Sequence, residues 1–177
     1  MTKGQRIIES LYRLFGLSKS NNNSRNKQHE NTDLKPRMNL THGFKIDKPD
    51  IFVPWDIDEK ALTNLFERYK IKQVTTGYYT AQCCSLDNLN CMIGFHFEPR
   101  TNGKLNELEF FRIKYDDQKK SFDEFQSNFE KEFGQPTRYS MGTEGYNNYT
   151  WQIGNVQILH YIFDRFGLEE HMRIKRQ

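Results

Sequence analysis

The sequence predicts an α+β fold: an antiparallel sheet of about six to seven strands with two main helices, preceded by a short N-terminal helix and a disordered linker. Three observations carry this. The apolar period alternates between helical and two-residue spacing along the second two-thirds of the chain. Two-residue turn signals, Asn102-Gly103 and Gly154-Asn155, separate strand-like runs. Charge and aromatic content also divide at residue 45. Residues 1–45 hold nine Lys/Arg and three Asp/Glu, net +6, whereas residues 46–177 hold seventeen and twenty, net −3. Only three of the 25 aromatic residues precede residue 46, so the material for a core lies after it.

Taken in order, residues 1–17 read as a short amphipathic helix. Ile7, Ile8, Leu11, Leu14 and Phe15 fall on one face, and Gly16 is a stop. A helix of this length is marginal alone and needs a surface to dock on. Its own domain is the expected one, with a membrane surface or a partner groove as alternatives for residues 5–17. Residues 18–45 form a basic linker. Between 18 and 41 its apolar residues are Leu34, Met38 and Leu40, too few to offset the chain's entropy, so disorder is expected.

Residues 46–177 read as a single domain. Asp56 or Asp58 caps a helix running to about Tyr69, with Ala61, Leu62, Leu65, Phe66 and Tyr69 as its apolar stripe. Val74–Cys84, Leu89–Phe97 and Leu105–Tyr115 read as strands. Ser121-x-x-Glu124 makes a capping box ahead of a stripe of Phe122, Phe125, Phe129 and Phe133, which Gly134 and Pro136 terminate. Met141–Gly145 reads as a loop, and strands resume over Asn148–Ile153, Val156–Arg165 and Glu170–Lys175. The order hints at two αβββ units building one sheet with both helices on one face.

Several function classes are excluded. No apolar run approaches the ~18 residues of a membrane-spanning helix. The adjacent pair Cys83-Cys84 rules out a disulfide framework and ordinary zinc-finger spacing. There is no Gly-rich phosphate loop and no nucleophile elbow. His96-x-Glu98 lacks the downstream Pro-Cys-x-x-Cys of a zinc deaminase. His96, His160 and His171 with Glu98 or Glu169 have no metal-ligand spacing, so neither a metal nor another cofactor is expected. An enzyme or metal-dependent hydrolase built on His96, Glu98 and His160 is the main alternative from another class, and a peripheral scaffold protein anchored through residues 5–17 is the third reading. The basic arm carries no nucleic-acid motif and the acidic body no basic groove, so nucleic acid is not an expected partner. The lack of an apolar signal region, with free cysteines, leads to an expectation of a cytoplasmic protein.

One resemblance bears on function. Ser121–Thr137 (SFDEFQSNFEKEFGQPT), the Trp151 strand, and Val156–Gly167 with Arg173-Ile174 resemble the layout of small cytoplasmic immunity proteins of bacterial polymorphic toxin systems. The resemblance covers about residues 50–177. It implies a non-enzymatic inhibitor that binds a cognate toxin domain, such as a nuclease with a basic cleft, and neutralises it by occlusion. On that footing the partner-binding residues are exposed members of the pair Tyr78 and Tyr79, together with Glu107, Glu109, Asp116 and Asp117.

Overall fold

A computed structural model describes residues 38–98, 103–114 and 116–177. The expected N-terminal helix, residues 18–37 of the expected linker and turn residue Asn102 lie outside them. The fold is α+β, as the sequence predicts. A small hairpin, β1 (Gly43–Ile46) and β2 (Ile51–Pro54), is followed by helix α1 (Glu59–Leu65) and strands β3 (Ile71–Thr75), β4 (Tyr78–Ser85), β5 (Leu89–Glu98) and β6 (Lys104–Phe111). Helix α2 (Gln118–Phe133) then precedes β7 (Arg138–Met141), β8 (Asn147–Ile153), β9 (Val156–Asp164) and β10 (Leu168–Arg176).

The main sheet has eight strands in the order β3-β4-β5-β6-β10-β9-β8-β7. The pairings are antiparallel throughout. Each helix thus introduces a meander of four strands, where the sequence pattern implied three after the first helix and three or four after the second. The two meanders meet at their last strands, β6 and β10, where Phe110 faces Met172 and Glu109 faces Arg173.

The extra strands have local causes. Val74–Cys84 is not one strand, because Gly77 adopts a φ of 73° and turns the chain between β3 and β4. Arg138–Met141 pairs with β8 as an edge strand whose sequence carries little apolar signal.

Helix boundaries also shift. Asp58 caps α1, its carboxylate accepting from the Ala61 N–H at 2.7 Å, but α1 ends at Leu65, short of Tyr69. For α2 the cap is Asp117, which accepts from the Lys120 N–H at 2.9 Å. Ser121 is therefore inside the first turns and buried, and its hydroxyl donates to Glu170 at 2.9 Å. Gly134, at φ 77°, closes α2 where the sequence places its stop.

The folded body also begins before residue 46. Leu40 is buried, its carbonyl accepts from the Trp55 indole at 2.7 Å, and Phe44 packs against Phe110 with ring centroids 5.3 Å apart. Residues 38–45 are therefore part of the body, not of the linker.

One face of the sheet carries the core. The aromatic stripe of α2 packs there, Phe129 meeting Phe110 and Trp151, while Phe66 at the end of α1 meets Phe95. Side chains alternate along each strand, so every second residue goes to the other face. Those residues include Tyr78, Met92, His96, Glu107, Glu109, Leu159, Tyr161, His171 and Arg173, all partly exposed.

Candidate functional site

A polar and aromatic network crosses the β6–β10 seam on the partly exposed face. Glu109 is its centre. One carboxylate oxygen, Oε2, accepts from the Tyr78 hydroxyl at 3.1 Å and from His96 Nε2 at 3.0 Å. The other, Oε1, accepts from Arg173 at 3.3 Å, and the same guanidinium donates to Glu107 at 2.7 Å. Because a guanidinium only donates, the 3.3 Å contact from Arg173 to His171 makes Nδ1 of that ring the acceptor.

Two histidines flank this centre, each stacked on a tyrosine. The His96 ring lies 4.3 Å from Tyr78 and the His171 ring 4.9 Å from Tyr161, centroid to centroid. Gly94 makes the first stack feasible. A Cβ at that position would sit 2.8 Å from Cε2 and 2.9 Å from the hydroxyl of Tyr78, whose ring lies across the bare backbone.

The electrostatics follow from this packing. Burial alone would raise the Glu109 carboxyl, yet the His96 hydrogen bond and the Arg173 guanidinium hold it below its ordinary value. Glu109 is therefore an ionised acceptor, and His96 Nε2 carries the shared proton. Burial, followed by the Glu109 charge, pushes the Tyr78 phenol up, so it stays a donor. Burial and the neighbouring Arg173 push the His171 imidazole down, against opposing pulls from Glu109 and Glu169. The face is mixed in charge and not a plain acidic plate, since Arg173 pairs with both the Glu107 and Glu109 carboxylates and its one positive charge offsets half of theirs.

The structure brings three of the sequence-predicted partner residues together: Tyr78, Glu107 and Glu109. Tyr79 does not join them. It points to the core face, is buried, and donates its hydroxyl to Glu59 at 2.8 Å. Asp116 and Asp117 also lie elsewhere, at the start of α2, where they line a cavity with Arg112, Lys114, Lys120, Ser121 and Glu124. Asp117 is occupied there as the helix cap.

The alternative trio is not assembled either. His96 and Glu98 share the partly exposed face, but His160 lies on the opposite face and is fully buried. Its two ring nitrogens meet Gln126 at 2.8 Å and Glu170 at 2.9 Å, and its ring stacks on Phe122 at 4.2 Å. Burial pushes this imidazole down, opposed by the Glu170 carboxylate. Among the described residues no group of three or more His, Cys, Asp or Glu side chains is arranged to hold a metal ion.

Two members of the network, Tyr161 and Arg173, are not among the sequence-predicted site residues. The signal for Arg173 was present in the alternation of Glu169, His171, Arg173 and Lys175 along β10, which places four polar side chains on one face, whereas Tyr161 sits between Leu159 and Phe163 in the β9 alternation and is brought to the network only by pairing with His171. No protein-family model, curated protein or solved structure matches the chain.

Proposed function

We propose that the chain is a non-catalytic inhibitor, of the immunity-protein kind its layout resembles, and that it occludes a cognate toxin domain with the partly exposed face of its sheet. The observation that carries this reading is the network across the β6–β10 seam, which fixes Tyr78, His96, Glu109, Arg173 and His171 in one orientation before any partner arrives. Preorganised tyrosine and arginine side chains lose little conformational freedom on association, and these residue types are enriched among the groups that dominate binding energy. Internal pairing of the carboxylates favours a partner read by shape and aromatic contact, with long-range attraction secondary.

The test is co-expression with a toxin encoded by a neighbouring gene, followed by titration of the purified toxin. The expected result is growth rescue and inhibition that completes at one chain per toxin. Replacing Tyr161, which stacks on His171 at the edge of the network, by alanine should weaken that inhibition at least tenfold. Rescue that fails, or inhibition by far fewer chains than toxin molecules, removes the occlusion reading; the second outcome indicates turnover.

A further inference from the structure

Cys83, Cys84 and Cys91 are free thiols. Cys83 of β4 and Cys91 of β5 are register partners on the core face, and their sulfurs lie 3.7 Å apart. Directly opposed residues of an antiparallel ladder have Cα atoms about 4.5–5.5 Å apart, within the span of a disulfide. Bringing the sulfurs to bonding distance needs side-chain rotation and no change of register. Cys84 pairs with Asn90 and projects to the other face, out of line with this pair.

We propose that Cys83 and Cys91 are a redox pair, oxidised to an intrachain disulfide by a low-molecular-weight disulfide of the glutathione class. Their surroundings assign the roles. Cys91 lines a cavity of about 200 Å³ that Cys83 does not line, so Cys91 is the sulfur that a small disulfide reaches first. Contact with Cys91 and burial push the Cys83 thiol up, which keeps it from attacking first and leaves it for the step after Cys91 has reacted.

In the first step the Cys91 thiolate attacks one sulfur of the small disulfide, whose S–S bond breaks and releases one small thiolate. In the second, the Cys83 thiol passes its proton to that thiolate and attacks the Cys91 sulfur, displacing the other half as a thiolate, which takes from water the proton that Cys91 released to it at the start. Two protein thiols are oxidised and one small disulfide is reduced to two thiols. The product ties β4 to β5 next to the core.

The experiment is incubation of the native full chain with oxidised glutathione, read by intact mass and by non-reducing peptide mapping. The wild type and Cys84→Ser should each lose two hydrogens, yield a linked Cys83–Cys91 peptide, and return to the starting mass with dithiothreitol. Cys83→Ser should stop at a single glutathione adduct on Cys91. Cys83→Ala, retained folded as judged by tryptophan fluorescence, should trap the same adduct if serine unfolds the chain. Absence of the linked peptide, an adduct on Cys84, or reaction only in denaturant would each overturn the proposal.

Discussion

Arg173→Met tests whether the network is a built element of the fold or a set of screened surface pairs. The substitution keeps most of the aliphatic stem and removes the guanidinium that serves Glu107 at 2.7 Å and Glu109 at 3.3 Å. The three side chains are 28%, 13% and 20% exposed, respectively, so they fall between the two known limits. A fully exposed pair contributes about 0–1 kcal/mol, and breaking a fully buried one costs about 3–5 kcal/mol. Arg173 also carries a cost of its own, because its Nε is buried without a hydrogen-bond partner. Methionine relieves that cost, which brings the expected net loss to about 1.5 kcal/mol. For a domain of this size that lowers Tm by about 3–6 °C. Urea unfolding followed by fluorescence of the buried Trp55 and Trp151 reads the change directly. Adding Glu107→Gln and Glu109→Gln to Arg173→Met should recover most of the loss, since the uncompensated charges go. A change below about 0.3 kcal/mol, or one that disappears in 1 M salt, would refute the reasoning, because only exposed pairs are screened so completely.

Three further outcomes are expected. Gly94→Ala should cost about 1–3 kcal/mol through collision with Tyr78, and Tyr78→Ala should restore most of it, a coupling that a double-mutant cycle measures. The folded-state pKa of His160 lies below its unfolded value of about 6.5, so its stability contribution is intact above that pH and is lost as pH falls through the folded pKa. Wild-type unfolding free energy should therefore drop below about pH 6.5 by up to ~1.4 kcal/mol per pH unit for this group. His160→Gln should flatten that slope by about one proton in pH-dependent urea titrations. Asp117→Ala should remove the α2 cap and about 1 kcal/mol of stability, measured by thermal melts, while leaving toxin inhibition unchanged because Asp117 is off the partly exposed face.

The parts of the fold legible in the sequence were those set by local periodicity. The phenylalanine stripe of α2 and its Gly134 stop, and the alternation through Leu89–Phe97, each reflect contacts within a few residues. Leu40 and Phe44 were hidden because two apolar residues in a polar stretch carry no period, although Trp55 and Phe110 bury them. Of the site, Tyr78, Glu107 and Glu109 were visible as residue types. Alternation shows that Tyr78 and Tyr79 face opposite ways but not which one faces the core; that is decided by which face α1 covers. Arg173 lies 66 positions from Glu107, and nothing local announces that β6 pairs with β10.

That seam has a kinetic consequence. Within each meander, β3 to β6 and β7 to β10, every ladder joins strands adjacent in sequence, so each half assembles from short loops. The β6–β10 ladder closes a loop of about 66 residues, whose entropic cost is about 4 kcal/mol before any contact rewards it. Two preformed halves docking along this line would leave the seam among the last contacts to form and the first to part. Substitutions at Arg173 should then speed unfolding and leave the folding limb of a chevron plot nearly unmoved.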